Sequence, residues 1–151
     1  MTQLDAVDKR IINRIQDLFP IEPRPFRALA TELGLSEKDI ISRVKHLKKQ
    51  GIIRRIGGNF SPDRLGFYST LCAARVARKK LDLFTRTVNA YTGVTHNYMR
   101  NHTYNVWFTF IAPARETIEE SLRQISAATG VTDILNLPAT HMFKISAKFK
   151  V

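Results

Sequence analysis

Apolar residues Leu4, Val7, Ile11, Ile12, Ile15 and Leu18 recur at helical spacing and predict an amphipathic helix over about residues 4–18. Phe19-Pro20-Ile21-Glu22-Pro23-Arg24-Pro25 ends it, because three prolines in six residues forbid continuation. A short second helix follows with Phe26, Leu29, Ala30 and Leu33 inward, and Gly34 closes it as a left-handed cap. Ser36 caps a third helix, with Asp39 three residues on. Ile40, Ile41, Val44 and Leu47 face inward there, and Gly51 ends it. Ile52-Ile53-Arg54-Arg55-Ile56 is strand-like, and Gly57-Gly58 would turn it into a return arm. A helix, a helix-turn-helix and a hairpin make a winged helix.

Phe60-Ser61-Pro62-Asp63-Arg64-Leu65-Gly66 has the composition of a linker. Beyond it, Tyr68 to Val76 predicts a strand, and Leu81, Phe84, Val88 and Tyr91 a helix. Pro113 opens another helix with Ile118, Leu122 and Ile125 inward, closed by Gly130. Val131 to Leu135 and His141 to Phe149 read as strands, the latter strongly alternating. With the hairpin described next, the order is the βαββαβ of a ferredoxin-like domain. The expected class is α+β, with a winged helix-turn-helix over 1–60, a linker over 61–67 and a ferredoxin-like domain over 68–151.

Two strand-like runs, Gly93 to Arg100 and Thr103 to Phe110, flank the polar turn Asn101-His102. Pairing Arg100 with Thr103 sets Tyr98 opposite Asn105 and His96 opposite Trp107. Side chains alternate along a strand, so His96, Tyr98, Arg100, Asn105 and Trp107 share one face. Met99, Tyr104, Val106, Phe108 and Phe110 take the other, which is a core face. The assignment holds for an even-numbered loop only.

The 151 residues carry one cysteine, Cys72, so an intrachain disulfide is impossible, which fits a reducing cytoplasm. The N-terminus has no apolar signal core, and no apolar run approaches the roughly 18 residues of a membrane span. The formal net charge is +11. Basic excess is shared, +5 over residues 1–66 and +6 over 67–151, and is not concentrated in the helical half. Such a charge suits nucleic acid or a polyanionic small molecule.

The third helix offers Lys38, Arg43, Lys45, His46, Lys48 and Lys49 to DNA, or simply covers its exposed side with them. Glu37 and Asp39 occupy the end that normally enters a groove, where they repel phosphate. No phosphate loop, zinc-ligand spacing or nucleophile elbow is present. On the hairpin face, imidazole, guanidinium and aromatic rings converge. Arg forks onto carboxylates, an aromatic covers a planar ring, and His donates a proton or ligates a metal. His141 begins the last strand on its core face, and Cys72 is expected to be buried.

The winged helix, the Phe60–Gly66 linker and the ferredoxin-like module resemble the Lrp/AsnC family over nearly the full length. Within that superfamily, His96-Asn97-Tyr98-Met99-Arg100 and Tyr104-Asn105-Val106-Trp107-Phe108 are similar to the sirohaem (siroheme) decarboxylases. So are Gly51-Ile52-Ile53-Arg54-Arg55 and the segments Leu137-Pro138 and Phe143-Lys144-Ile145. The resemblance implies an enzyme that removes carboxyl groups from two acetate side chains of sirohaem, giving didecarboxysirohaem in haem biosynthesis. It implies pairing through open sheet faces, in a heterodimer with a paralogous subunit or in a homodimer. It implies no cofactor beyond the iron tetrapyrrole itself, no specific DNA and no membrane. His96 and Arg100 are then the candidate catalytic pair, acid and carboxylate clamp. Asn97, Tyr98, Asn105 and Trp107 are candidate substrate contacts, and His96 could instead be an axial ligand to the tetrapyrrole iron. The competing class is an Lrp/AsnC-type transcription regulator whose sheet face binds a small effector such as haem.

Overall fold

A computed structural model describes residues 4–58, 60–144, 148, 150 and 151. The chain divides into a helical unit, residues 1–58 with 144–151, and a sheet unit, residues 59–143.

Three helices build the first unit: α1 (Ala6–Asp17), α2 (Pro25–Leu33) and α3 (Glu37–Lys49). Each start follows from its flanking residue. The Asp5 carboxylate accepts from the Asp8 amide at 2.7 Å, Pro25 occupies the first turn of α2, and Ser36 Oγ accepts from the Asp39 amide at 3.1 Å. Gly34 ends α2 at φ +67°, as its position predicts. The apolar faces meet in a core of Ile11, Leu29, Ala30, Ile40, Val44, Leu47 and Ile53.

The wing differs from expectation, because residues 52–56 form no strand. Gly51, at φ +73°, reverses the chain, and the amides of Ile52 and Ile53 both donate to the Leu47 carbonyl. Those donors therefore cap α3 and cannot enter a ladder. Ile53 drops into the helical core, and Gly57 and Gly58 lead into no return strand. At the other end of the chain, Lys148 pairs with Asp17, and the Asn13 side-chain amide donates to the Val151 carbonyl at 3.0 Å. Lys148 holds the Asp17 carboxyl below the usual carboxylate range.

The second unit is β1 (Tyr68–Ala74), α4 (Leu81–Asn89), β2 (Val94–Met99), β3 (Val106–Ala112), α5 (Arg115–Thr129) and β4 (Ile134–Pro138). All strand pairs are antiparallel, in the order β2-β3-β1-β4. This is the ferredoxin-like βαββαβ topology. Both helices cover one face, where Cys72, Ala74, Phe84, Val88, Val106, Phe108, Phe110, Ile118 and Ile125 are buried. Phe84 meets Phe108 edge-on at 6.2 Å and Tyr91 meets Phe110 at 5.6 Å. Burial pushes the Cys72 thiol up to about 12, so it stays neutral and is no nucleophile.

The fourth strand lies at Ile134–Pro138, displaced toward the C-terminus from the expected 131–135. Asn136 faces the helices, where it accepts from Thr70 Oγ1 at 2.6 Å, and Leu135 and Leu137 take the opposite face. The strand expected over His141–Phe149 does not begin at His141: residues 141–144 are exposed and outside any strand. Ile145, Ser146, Ala147 and Phe149 lie outside the described residues. His141 is thus not on a core face, and its ring packs edge-on against Phe143 at 4.7 Å. Among the described residues no helix is long and apolar enough to cross a membrane.

Candidate functional site on the open sheet face

The face of the sheet away from α4 and α5 carries the candidate residues. Register builds it row by row. Tyr98, Trp107, Ala73 and Leu135 stand side by side across the four strands, and His96, Thr109, Leu71 and Leu137 form the next row. Two residues beyond the Tyr98 row stand Arg100 and Asn105, with the Arg100 amide donating to the Asn105 carbonyl at 2.8 Å, and the exposed Arg75 follows directly on the end of β1. Aliphatic side chains of β4 and β1 occupy one edge, while His96 and Tyr98 on β2 and Trp107 on β3 occupy the other, with Arg100 just past β2.

The hairpin register differs from the expected one by two residues. His96 faces Thr109 rather than Trp107, and Tyr98 faces Trp107 rather than Asn105. The connecting loop is Arg100 to Asn105 rather than a two-residue turn. Loop contacts explain the shift: the His102 amide donates to the Arg100 carbonyl, and the Tyr104 amide donates to His102 Nδ1 at 3.1 Å. A shift of two preserves face parity, so His96, Tyr98, Arg100 and Trp107 still share one side. Val106, Phe108 and Phe110 are buried on the other as expected, but Met99, at the edge, is 74% exposed.

Several of these groups touch. The Arg100 guanidinium lies 5.7 Å from the Trp107 ring centroid, a cation–π distance. Trp107 is itself anchored, its Nε1–H donating to the Tyr104 carbonyl at 2.7 Å. The His96 and Tyr98 rings lie 6.0 Å apart, tilted by 31°.

Of the other expected contacts, one faces away and one is engaged by backbone. Asn97 points to the helix side, where its amide donates to Asn89 Oδ1 at 2.8 Å. There it borders a shallow groove of about 280 Å³ with Leu81, Asp82, Thr85 and Met99. Asn105 has the right parity, but its amide is engaged twice by one backbone. It accepts from the Val76 amide and donates to the Val76 carbonyl, both at 2.9 Å. It clamps the hairpin to the end of β1.

Three residues at the site carried no recognised signal in the sequence: Arg75, Thr95 and Thr109. Arg75 follows a strand whose alternation is hidden by the buried run Cys72-Ala73-Ala74. Thr95 belongs to a β-bulge, since Val94 pairs with Phe110 while His96 pairs with Thr109. Thr95 Oγ1 therefore comes within 3.0 Å of His96 Nδ1 and 2.7 Å of Thr109 Oγ1. Gly93 is the one local clue. A Cβ there would stand 2.2 Å from the Ile111 carbonyl oxygen and 2.9 Å from the Phe110 ring. Gly93→Ala should destabilise the protein by about 1–3 kcal/mol, as overpacking does, and a thermal melt checks this.

Among the described residues, no three His, Cys, Asp or Glu side chains gather closely enough to hold a metal ion. The site can present one imidazole, a guanidinium over an indole and a flat aromatic strip. Those groups fit a planar, carboxylated ligand.

Comparison with known proteins finds the same fold in solved structures of low sequence identity. AsnC from E. coli superposes with a TM-score of 0.80 at 18% identity, covering 99% of this chain and 100% of its own. Residues 64–144 match the AsnC-like ligand binding domain, and residues 8–54 match the Siroheme decarboxylase NirDL-like HTH domain. The sirohaem decarboxylase alpha subunit of Desulfovibrio desulfuricans is 50% identical over 151 residues, covering 100% of this chain and 87% of that protein. The crystal structure of the sirohaem decarboxylase NirDL in complex with an iron-uroporphyrin III analogue superposes with a TM-score of 0.67 at 34% identity, covering 94% of this chain and 47% of that one. The chain belongs to the sirohaem decarboxylase family.

Proposed function

We propose that the open sheet face binds sirohaem and that His96 and Arg100 carry the removal of carboxyl groups from two of its acetate side chains. The observation that carries this is the convergence of His96, Tyr98, Arg100 and Trp107 on one uncovered face in a chain of this family. As a member of that family the chain is a decarboxylase subunit, a carbon–carbon lyase.

The chemistry needs no redox partner. Protonation of a macrocycle ring carbon creates an electron sink. The bond between the acetate methylene and its carboxylate then breaks, its electron pair moves into the ring, and carbon dioxide leaves. The ring proton is lost and the exocyclic carbon gains one, so each carboxylate is replaced by hydrogen with net uptake of one proton. His96 supplies the proton at Nε2, and Arg100 orients the carboxylate by its planar fork. Trp107 and Tyr98 lie under the macrocycle. Arg75, next to the end of β1, supplies a second cation for the remaining carboxylates. The alternative role for His96, ligation of the substrate's iron, uses the same nitrogen and excludes simultaneous proton delivery from one subunit. No cofactor beyond the substrate is invoked.

Relatives named as alpha subunits support a working assembly with a paralogous subunit, and a homodimer is the simpler alternative. Incubating this chain anaerobically with sirohaem, with and without that subunit, should lower the tetrapyrrole mass by two carbon dioxide units. No mass change in any combination would refute the reading.

DNA binding is expected to be weak and independent of sequence. Arg43, on the helix that would enter a groove, donates to Asp5 and Asp8 at 2.7 Å each, and Glu37 pairs with Arg24 at 2.5 Å. Any residual binding should vanish steeply with salt, because it rests on counterion release. An anisotropy titration checks this, and affinity of about 10⁻⁸ M or tighter for one sequence at physiological salt would favour the regulator.

A further inference from the structure

Beside His96 the sheet carries two hydroxyls that the proposed reaction does not use directly. Thr95 Oγ1 lies 3.0 Å from His96 Nδ1, Thr109 Oγ1 lies 2.7 Å from Thr95 Oγ1, and Thr109 Oγ1 is 3.4 Å from the same Nδ1. In a regular ladder Thr95 and His96 would face opposite sides of the sheet. The bulge between Val94 and His96 brings them together. Just before β2 the chain approaches β3 so closely at Gly93 that no side chain fits there. The Ile111 amide donates to the Gly93 carbonyl at 2.9 Å, locking that approach. Bulges commonly re-aim a side chain next to a site.

We propose that Thr95 and Thr109 are positioning residues for His96, holding its Nδ1 as a donor so that Nε2 faces the open side of the sheet. The inference rests on the assignment of His96 to the decarboxylation site. In the proposed arrangement Nδ1–H donates to Thr95 Oγ1, and the Thr95 hydroxyl donates to Thr109 Oγ1. Both roles open to His96 require this tautomer. An imidazolium that delivers its Nε2 proton is left with a proton on Nδ1, and an imidazole that ligates iron through Nε2 carries its proton on Nδ1 as well. The hydrogen bond to Thr95 thus persists before and after either event, and nothing beside the ring needs to reorganise. Hydroxyls do this as neutral partners, whereas a carboxylate's charge would favour the imidazolium form. Supporting hydrogen bonds of this kind fix both the tautomer and the direction of a histidine ring.

The test uses the full chain with its partner subunit and four variants: Thr95→Val, Thr109→Val, Thr95→Ser and His96→Ala. Valine keeps shape and strand preference while removing the hydroxyl. Imidazole ¹H–¹⁵N spectra of the full chain report the tautomer of His96, identified as the signal absent from His96→Ala. The parent should show Nδ1–H, and Thr95→Val should lose that bias with an unchanged thermal melt. Turnover should fall on the order of 10–100-fold in Thr95→Val, mostly in kcat, less in Thr109→Val, and Thr95→Ser should restore it. An Nε2–H tautomer in the parent overturns the proposal. So does a Thr95→Val chain whose His96 signals and kcat match the parent while His96→Ala is impaired, which leaves the site itself standing. If His96→Ala turns over like the parent, the site assignment is what fails, and the positioning role falls with it.

Discussion

His96→Ala is expected to lower turnover by on the order of 10²–10⁴, the usual cost of removing a general acid, with little effect on folding. The ring is exposed on the uncovered face, and its contacts are two threonine hydroxyls and the Tyr98 ring. None belongs to the core that packs the sheet against α4 and α5. The assay is single turnover of sirohaem by the variant chain with its partner subunit unmutated. Spectroscopy of the bound tetrapyrrole separates the two chemical roles. Loss of an iron ligand shifts the Soret band, whereas loss of an acid leaves the band in place and slows the mass change.

Arg100→Ala should weaken both binding and rate. Charge-assisted hydrogen bonds contribute about 1.5–3 kcal/mol, so kcat/KM should fall roughly 10- to 150-fold in steady-state assays. Arg100 lies over Trp107, and its guanidinium hydrogens remain available to a ligand carboxylate. Arg100→Lys should recover only part of the loss, because an ammonium keeps the charge but has no planar fork and stacks poorly on indole. The melting temperature should stay near that of the parent in both variants, since the contact replaced is an exposed one.

The parts of this fold that were legible in the sequence are those with a strict local rule. Three closely spaced prolines, a serine cap and glycines at helix ends mark α1 to α3, and the alternation through Val106, Phe108 and Phe110 marks β3. The faces of the hairpin were legible because parity survives a two-residue slip. The wing is not legible, because Ile52-Ile53-Arg54-Arg55-Ile56 has strand composition, yet the left-handed turn at Gly51 sends its first amides to the Leu47 carbonyl. The run Val131 to Leu135 marked the fourth strand, which lies three residues further on at Ile134–Pro138, because its own alternation is only five residues long and fixes its ends weakly. Asn105 shows the limit for single side chains. Its polarity and face suggested a ligand contact, while its amide is spent on the Val76 backbone. Asn97 was drawn in by the motif around it and faces α4 instead. The bulge at Thr95 has no periodic signature. Only Gly93 hints at it, and its reason becomes visible once β3 is beside it.

A structure of the chain with an iron tetrapyrrole bound decides whether the substrate sits on the open sheet face. The macrocycle should lie against Tyr98 and Trp107, with a carboxylate on Arg100 and His96 Nε2 within about 3.2 Å of the ring or a proton-relaying water, or ligating the iron. A macrocycle in the helix-side groove beside Asn97, or one held without His96 and Arg100, would contradict it.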